Sequence, residues 1–503
     1  MKLRTPFLLT LAITSYWLTS TSSVEAASTP EKPNLLFVFT DQHSFDMLGC
    51  YGNSQIKTPN IDRLAREGVR FEYCISSTPV CAPMRAMLLS GQHPLNNGVV
   101  CNDVCMLPGH GKYFGEVLRD NGYRLGYIGK WHLYGGDRNR PVPPGPYRYG
   151  FDDVFLTDNC SLNFDPGSSF YFDPKTGEKV HFNQWEVYGQ TDQALEFIQK
   201  RDPHRPWALF LSWHPPHDHK GFQYATLPEL EKLYDPATIK LRPSMQDTLE
   251  VRKRFAQYMA MISGCDLAFG KLMDALEKSG MKQNTIVVFT SDHGDLHGAH
   301  GRPWAKSFPE DESSRVPLII RYPDRLQPRT SHLLVGTLDL MPTLLGLLKL
   351  PIPATCDGQN LTPHILSRND EAVESVPLFY FAPSWRGVFT KGFTYSERAA
   401  ITFKESINFN TLYDRSNDPH QLINRFDDPA YAKAKAGAKQ LMHSWLGRYQ
   451  DPFITETDMY HRFGWASPKL DDPGMTGQLP GRPRDLIKAA PTDGIEPIPL
   501  RSP

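Results

Sequence analysis

The sequence carries almost no net charge: 54 basic and 55 acidic residues leave −1 over 503 positions. A chain so balanced has no broad basic face for nucleic acid, and any pull on an anion must come from locally placed cations. Long apolar runs are also scarce. The stretch from Phe7 to Leu18 is broken by Thr and Ser and too short to span a bilayer comfortably, so no stable membrane anchor is expected. No internal repeat is visible, which sets repeat architectures aside. Cysteine is sparse, eight in all, and no two Cys/His pairs stand at zinc-site spacing.

What is present describes a large globular chain, 40% hydrophobic and 22% charged, sized for one big domain with an appendage or for two domains. Lys2 and Arg4 precede the apolar stretch, and Val24-Glu25-Ala26 offers a small-residue cleavage site. Residues 1–26 therefore read as a signal peptide, and export to the periplasm or outside the cell is expected. The runs Leu35–Thr40, Tyr123–Ile128, Trp207–Trp213 and Thr285–Thr290 are short, continuous and rich in β-branched or aromatic residues, as buried parallel strands are. Pro317–Ile320 is a further strand. Helical stretches alternate with them: Pro59–Glu67 with Thr58 as N-cap and Gly68 as stop, Val251–Ser279 with Gly264 weakening its middle, and Asp339–Leu348. This predicts an α/β fold with a large, doubly wound, mostly parallel sheet flanked by helices. After about residue 374 the runs shorten and turn residues separate them, predicting a smaller C-terminal antiparallel sheet, a helix from Ala430 to Tyr449 and an irregular tail from Asp451. The expected organisation is 1–26, 27–374 and 375–503.

Chemistry-bearing residues gather at the ends of these runs, where open α/β sheets place their sites. Leu35–Thr40 leads into Asp41-Gln42, and Thr285–Thr290 into Ser291-Asp292-His293-Gly294; the other two lead into Gly129-Lys130-Trp131-His132 and His214-Pro215-Pro216-His217. Between them stands Val80-Cys81-Ala82-Pro83-Met84-Arg85, with Pro just inside a short apolar run that stops at Ser90-Gly91. That pattern puts Cys81 at the amino end of a helix, where unpaired N–H groups favour an anion. Arg85 follows about one turn later.

Taken in order, Asp41-Gln42, CxPxR, Gly-Lys-Trp-His, Pro-Pro-His and Ser-Asp-His-Gly resemble the formylglycine-dependent sulfatases of the alkaline phosphatase superfamily, from about Asn34 to Asp414. The resemblance implies an alkaline phosphatase-like fold and hydrolysis of sulfate esters. It implies that a maturation enzyme oxidises Cys81 to formylglycine, whose hydrate attacks sulfur with one hydroxyl and expels sulfate when the other loses its proton. A divalent cation would be held by Asp41, Gln42, formylglycine 81, Asp292 and His293; oxygen donors suit calcium, with magnesium as the alternative. Arg85 would hold the hydroxyl or the carboxylates, Lys130 and Lys306 would bind sulfate, His132 would take the proton that triggers sulfate release, and His217 would face the leaving oxygen. Relatives more often carry Asp at position 42. Gln42 also resembles phosphonate monoester hydrolases, so hydrolysis of phosphonate monoesters or phosphodiesters is the rival reading. A non-catalytic sulfate- or glycan-binding protein is the second.

Polar and aromatic residues near the motifs, His43, Asn102, His214, His219, His300, Arg302 and Trp304, with Trp385-Arg386 from the second region, are the candidates to line a pocket for a sulfated saccharide.

Overall fold

The computed structural model describes residue 1, residues 32–455 apart from positions 136, 137, 220–222, 225, 382 and 400–406, and residue 458. The signal peptide, beyond Met1, and most of the tail after residue 451 lie outside the described residues.

Ten strands share one sheet. They are Asn34–Thr40 (β1), Val69–Ile75 (β2), Arg124–Lys130 (β3), Val154–Asp158 (β4), Phe170–Phe172 (β5), Lys179–His181 (β6), Trp207–Trp213 (β7), Thr285–Ser291 (β8), Arg315–Arg321 (β9) and Arg329–Gly336 (β10), ordered β10-β2-β9-β8-β1-β7-β3-β4-β5-β6. The central five, β8 to β4, run parallel. Every residue of β1, β7 and β8 is buried, which is why these runs show no polar alternation. Their register aligns the strand ends: Thr40 sits opposite both Trp213 and Ser291, so three strands release Asp41, His214 and Asp292 side by side.

The run around Pro317–Ile320 lies in β9, which is antiparallel to both β8 and β2. A parallel return needs a crossover back to the opposite end of the strands, usually through a helix. Residues 292–314 instead hold only the short turns Ala299–Gly301 and Asp311–Ser314, so the chain re-enters the sheet from the edge where it left.

Helices Pro59–Glu67 (α1), Cys81–Ser90 (α2), Glu186–Gln199 (α3), Leu249–Lys278 (α4) and Thr337–Leu347 (α5) belong to the same α/β core. Thr58 occupies the cap position of α1, but its hydroxyl is turned to the Gly49 N–H and the Asp62 carboxylate. Gly264 in α4 is explained by packing, since a Cβ there would come within 2.6 Å of the Trp185 ring. Among the described residues no helix is long and apolar enough to cross a membrane.

The second sheet is antiparallel: Val376–Phe381 (β11), Ser384–Phe389 (β12), Phe393–Arg398 (β13) and Thr411–Asp414 (β14), in that order. Leu378, Phe379, Phe381 and Trp385 join the core of the large sheet, while Val388, Tyr395 and Leu412 pack under Ala438 and Met442 of helix Ala432–Tyr449 (α6). Both sheets thus share apolar core. Polar ties reinforce it: Trp385 donates to the Ser307 carbonyl at 3.1 Å, Tyr413 to Glu310 at 2.9 Å, and the Asp311 N–H to the Gln421 side chain at 2.8 Å.

Candidate active site

Helix α2 begins at Cys81 after an extended Val80, and all ten of its residues are buried. Pro83 lies in the first turn, where its missing N–H would have had no helical partner. The Ala82 N–H donates to Asn102 Oδ1 at 2.9 Å, and Gly91, at φ 65°, closes the helix. The thiol of Cys81 is thereby fixed at the positive end of a helix in the protein interior.

Around it, one donor atom from each of Asp41, Cys81, Asp292 and His293 lies within 4.8 Å of every other. Cys81 Sγ is 3.7 Å from Asp41 Oδ1 and 3.3 Å from His293 Nε2. His293 Nδ1 sits 2.9 Å from the Gly294 carbonyl, which can only accept; Nδ1 therefore carries a proton, and in its neutral form the ring turns the lone pair of Nε2 toward Asp41 Oδ1 at 3.3 Å. Gln42 follows, with a backbone φ of 66° and its N–H on Asp292 Oδ1 at 3.1 Å. Its side-chain Nε2 donates to Asp218 Oδ1 at 3.0 Å and to Asp295 Oδ2 at 2.7 Å, leaving Oε1 buried with no partner. Two carboxylates and an orphaned amide oxygen fit a hard divalent cation, with His293 Nε2 as a nitrogen neighbour that could bind it only after losing its proton.

Cations crowd the same space. Lys130 pairs with Asp41. Arg85 donates through Nε and Nη2 to Asp292 Oδ2 at 3.2 and 2.9 Å, and through Nη1 to the Lys130 carbonyl and Ser212 Oγ at 3.0 and 2.7 Å. Lys306 Nζ lies 3.2 Å from Cys81 Sγ, 3.4 Å from His293 Nε2 and 2.9 Å from His217 Nε2. Burial alone would raise Asp41, but Lys130, His217, His293 and Lys306 hold it well below the usual carboxylate range. Asp292 goes the other way, raised by burial and by the Asp41 charge. Burial opposes charge on His293, yet Asp292 carries its pKa up to about 9. Burial and Asp41 would likewise push the Cys81 thiol up, and Lys130, Lys306 and His293 overcome them to hold it well below its ordinary value.

His132, at φ 57°, lies 3.0 Å from Asp103 Oδ1, and Arg138 grips the same carboxylate through two bonds of 2.7 and 2.9 Å. Burial would suppress its charge, but Cys160 and Asp103 lift its pKa to about 10. Asp103, Arg138, Cys160, Asp218 and Asp295 escaped the sequence reading. The signal for two of them was adjacency: Asp103 follows Asn102, and Asp218 follows His217.

The structure thus brings Asp41, Cys81, Arg85, Lys130, Asp292, His293, Lys306 and His217 together. It corrects several saccharide candidates. His43 is fully buried with its ring nitrogens on Thr40 and the Met47 carbonyl, and burial drops its pKa to about 4. His214 is wholly inside, 2.6 Å from Glu186 and 3.6 Å from Asp158. Asn102 Oδ1 is committed to α2, and Arg386 is buried in an ion pair with Asp451 beside a buried Trp385. In each case a polar group named from the sequence is engaged by the interior. His300, Arg302 and Trp304 stay partly exposed on the segment leading to Lys306, with His300 on Glu312, Arg302 on Glu310 and Trp304 stacked on Phe308. His219 is tilted against Phe164 with ring centroids 4.5 Å apart.

A family model described as sulfatase matches residues 33–350, and a second, described as the C-terminal part of N-sulphoglucosamine sulphohydrolase, matches residues 298–446. An ulvan-active sulfatase of Formosa agariphila is 32% identical over 446 residues, covering 86% of this chain and 84% of that one. An endo-4-O-sulfatase of Bacteroides thetaiotaomicron is 28% identical, covering 86% of this chain and 95% of its own. A solved Bacteroides fragilis structure described as a sulfatase superposes with a TM-score of 0.75 at 31% identity, covering 86% of this chain and 98% of that one.

Proposed function

The chain is an enzyme of the sulfatase family, and from that premise we propose that it hydrolyses sulfate monoesters carried on a saccharide, using formylglycine made from Cys81 and one divalent cation, calcium before magnesium. The observation that carries this reading is the position of Cys81 Sγ, where the oxygens of the hydrated aldehyde would stand: at the start of α2, 3.2 Å from Lys306 Nζ and 3.3 Å from His293 Nε2. Formylglycine hydrate supplies an oxygen nucleophile and a second hydroxyl whose deprotonation releases sulfate. Asp41, Asp292, His293 and the orphaned Gln42 oxygen would hold the cation, which would supply Lewis acidity toward that nucleophile and a sulfate oxygen.

The remaining work falls to the chain's own groups. Lys130 and Lys306 offer ammonium donors to the non-bridging oxygens, whose charge must be met by several donors at once. Arg85 holds Asp292 and the Lys130 carbonyl in place from below. His132, its Nε2 held by Asp103 and its Nδ1 unpartnered, accepts the proton whose loss frees sulfate when its ring is neutral, a form that its raised pKa makes the minor one near neutral pH. The Lys306–His217 pair delivers a proton to the departing alcohol. A saccharide is favoured because the Formosa relative is ulvan-active and the Bacteroides thetaiotaomicron relative is an endo-4-O-sulfatase, and because His300, Arg302 and Trp304 supply a partly exposed polar and aromatic rim. Export to the periplasm or beyond belongs to the same proposal, supported by Lys2, Arg4 and the apolar stretch after them.

The test is a panel of sulfated mono- and oligosaccharides, an aryl sulfate and a phosphonate monoester, assayed on protein whose Cys81 peptide has the aldehyde mass. Sulfate esters should lead. A phosphonate preferred by a wide margin would make Gln42 the decisive residue and overturn the sulfate reading.

A further inference from the structure

We propose that Asp218 is a positioning residue for departure of the sugar alcohol, and that Gln42 serves the same end by holding Asp218; this rests on the proposed hydrolysis of saccharide sulfates. His217 Nδ1 is 2.7 Å from the Asp218 carbonyl and 3.2 Å from Asp218 Oδ1. Both oxygens only accept, so Nδ1 bears a proton and Nε2 points its other face at Lys306 Nζ, 2.9 Å away. The order of donors is directed: Lys306 to His217, His217 to Asp218. Asp218 Oδ1 also receives the Gln42 amide at 3.0 Å, and the same Nε2 donates to Asp295 Oδ2 at 2.7 Å, which accepts the Tyr224 hydroxyl at 2.5 Å.

This arrangement gives position 42 a reason to be neutral. A carboxylate there would meet Asp218 and Asp295 with no proton between them, and the amide is the group of that shape that can donate to both. Gln42 thereby ties the cation side of the site, where its N–H holds Asp292, to the leaving-group side, where its side chain holds the partner of His217.

In the step it serves, the bond from sulfur to the sugar oxygen breaks with its electron pair going to that oxygen, and a new sulfur–oxygen bond forms to a hydroxyl oxygen at residue 81, whose own proton passes to a neighbouring carboxylate, Asp41 or Asp292. One proton passes from the Lys306–His217 pair to the sugar oxygen, leaving the pair one positive charge poorer. A sugar alkoxide is strongly basic and needs this proton; a nitrophenolate leaves without it. The Asp218 carbonyl keeps the His217 ring turned toward Lys306, and the Asp218 carboxylate, 3.2 Å from Nδ1, offsets the charge the ring carries as the proton is passed on.

Asp218→Asn in formylglycine-converted protein should lower kcat/KM on a saccharide sulfate by about 100-fold and on 4-nitrophenyl sulfate by no more than about threefold. Across a series of substituted phenyl sulfates, the dependence of log kcat/KM on leaving-group pKa should steepen relative to wild type. That slope is independent of how much of a preparation is folded, and Asp218→Ser is read in the same way should the Asn variant not accumulate. An equal loss on all substrates with an unchanged slope overturns the role of Asp218. Wild-type protein inactive on every sulfate ester would instead remove the functional reading beneath it.

Discussion

Asp103→Asn tests the other histidine of the site. Asp103 Oδ1 meets His132 at 3.0 Å while Arg138 binds the same carboxylate at 2.7 and 2.9 Å, so the substitution keeps the shape and removes the charge. A hydrogen bond to a charged group contributes about 1.5–3 kcal/mol, which converts to about 10- to 150-fold in rate at 1.36 kcal/mol per decade. The loss should fall on one half of the reaction. His132 acts after the alcohol has left, so stopped-flow assay of 4-nitrophenyl sulfate should give a burst of nitrophenol equal to the concentration of active sites, followed by slow turnover. Wild type should show a smaller burst or none. A variant that turns over within twofold of wild type, or one slowed by the stated factor without a burst, would refute the assignment of His132 to sulfate release.

Asp292→Ala should abolish activity and weaken cation binding by more than about 100-fold in calorimetry, beyond what loss of an outer-shell partner costs; retained binding would exclude Asp292 as a ligand. Gly129→Ala forces a side chain onto a backbone at φ 101° with Cβ 2.1 Å from the Ser212 carbonyl, so denaturant titration should reveal a loss larger than the about 1–3 kcal/mol of backbone strain alone. His214 has its pKa lifted to about 10, burial opposing and Asp158 and Glu186 prevailing, with Cys160 the further neighbour. Its folded-state pKa is above the unfolded value, so its contribution is complete below about pH 6.5 and is lost as pH rises toward 10. His214→Gln should therefore flatten the fall in thermal midpoint above pH 7, and an unchanged profile would remove His214 from that account.

Much of the site was legible because its residues follow buried strands. Asp41, Lys130 and Asp292 each come directly at the end of a run whose unbroken apolarity marks it as internal, and register then brings the ends together. The helix at Cys81 was legible from Pro83 and Gly91 for equally local reasons. Contacts made across the fold were not legible. Asp103 reaches His132 from a loop 29 positions away, and Gln42 meets Asp218 across 176, so no spacing announces either pair. The burial of two saccharide candidates was hidden for a related reason: a histidine in a sequence looks the same whether it meets solvent or, like His43 and His214, the core. The antiparallel sense of β9 was also hidden, because a strand's composition reports its burial and not its direction.

The bonds from Trp385 to Ser307 and from Tyr413 to Glu310 bear on how this protein can be taken apart. Ser307 adjoins Lys306, and Arg415 and Gln421 brace Asp311 a few residues on. A fragment ending near residue 374 would keep every strand that delivers the carboxylates, the cysteine and His132, yet its second lysine would stand on an unpropped segment. Such a fragment would also bare the apolar core that Leu378, Phe379, Phe381 and Trp385 help to form, so it should lose stability as well as catalysis. The small sheet is in this sense part of the catalytic apparatus, because it carries the support behind the segment that presents Lys306.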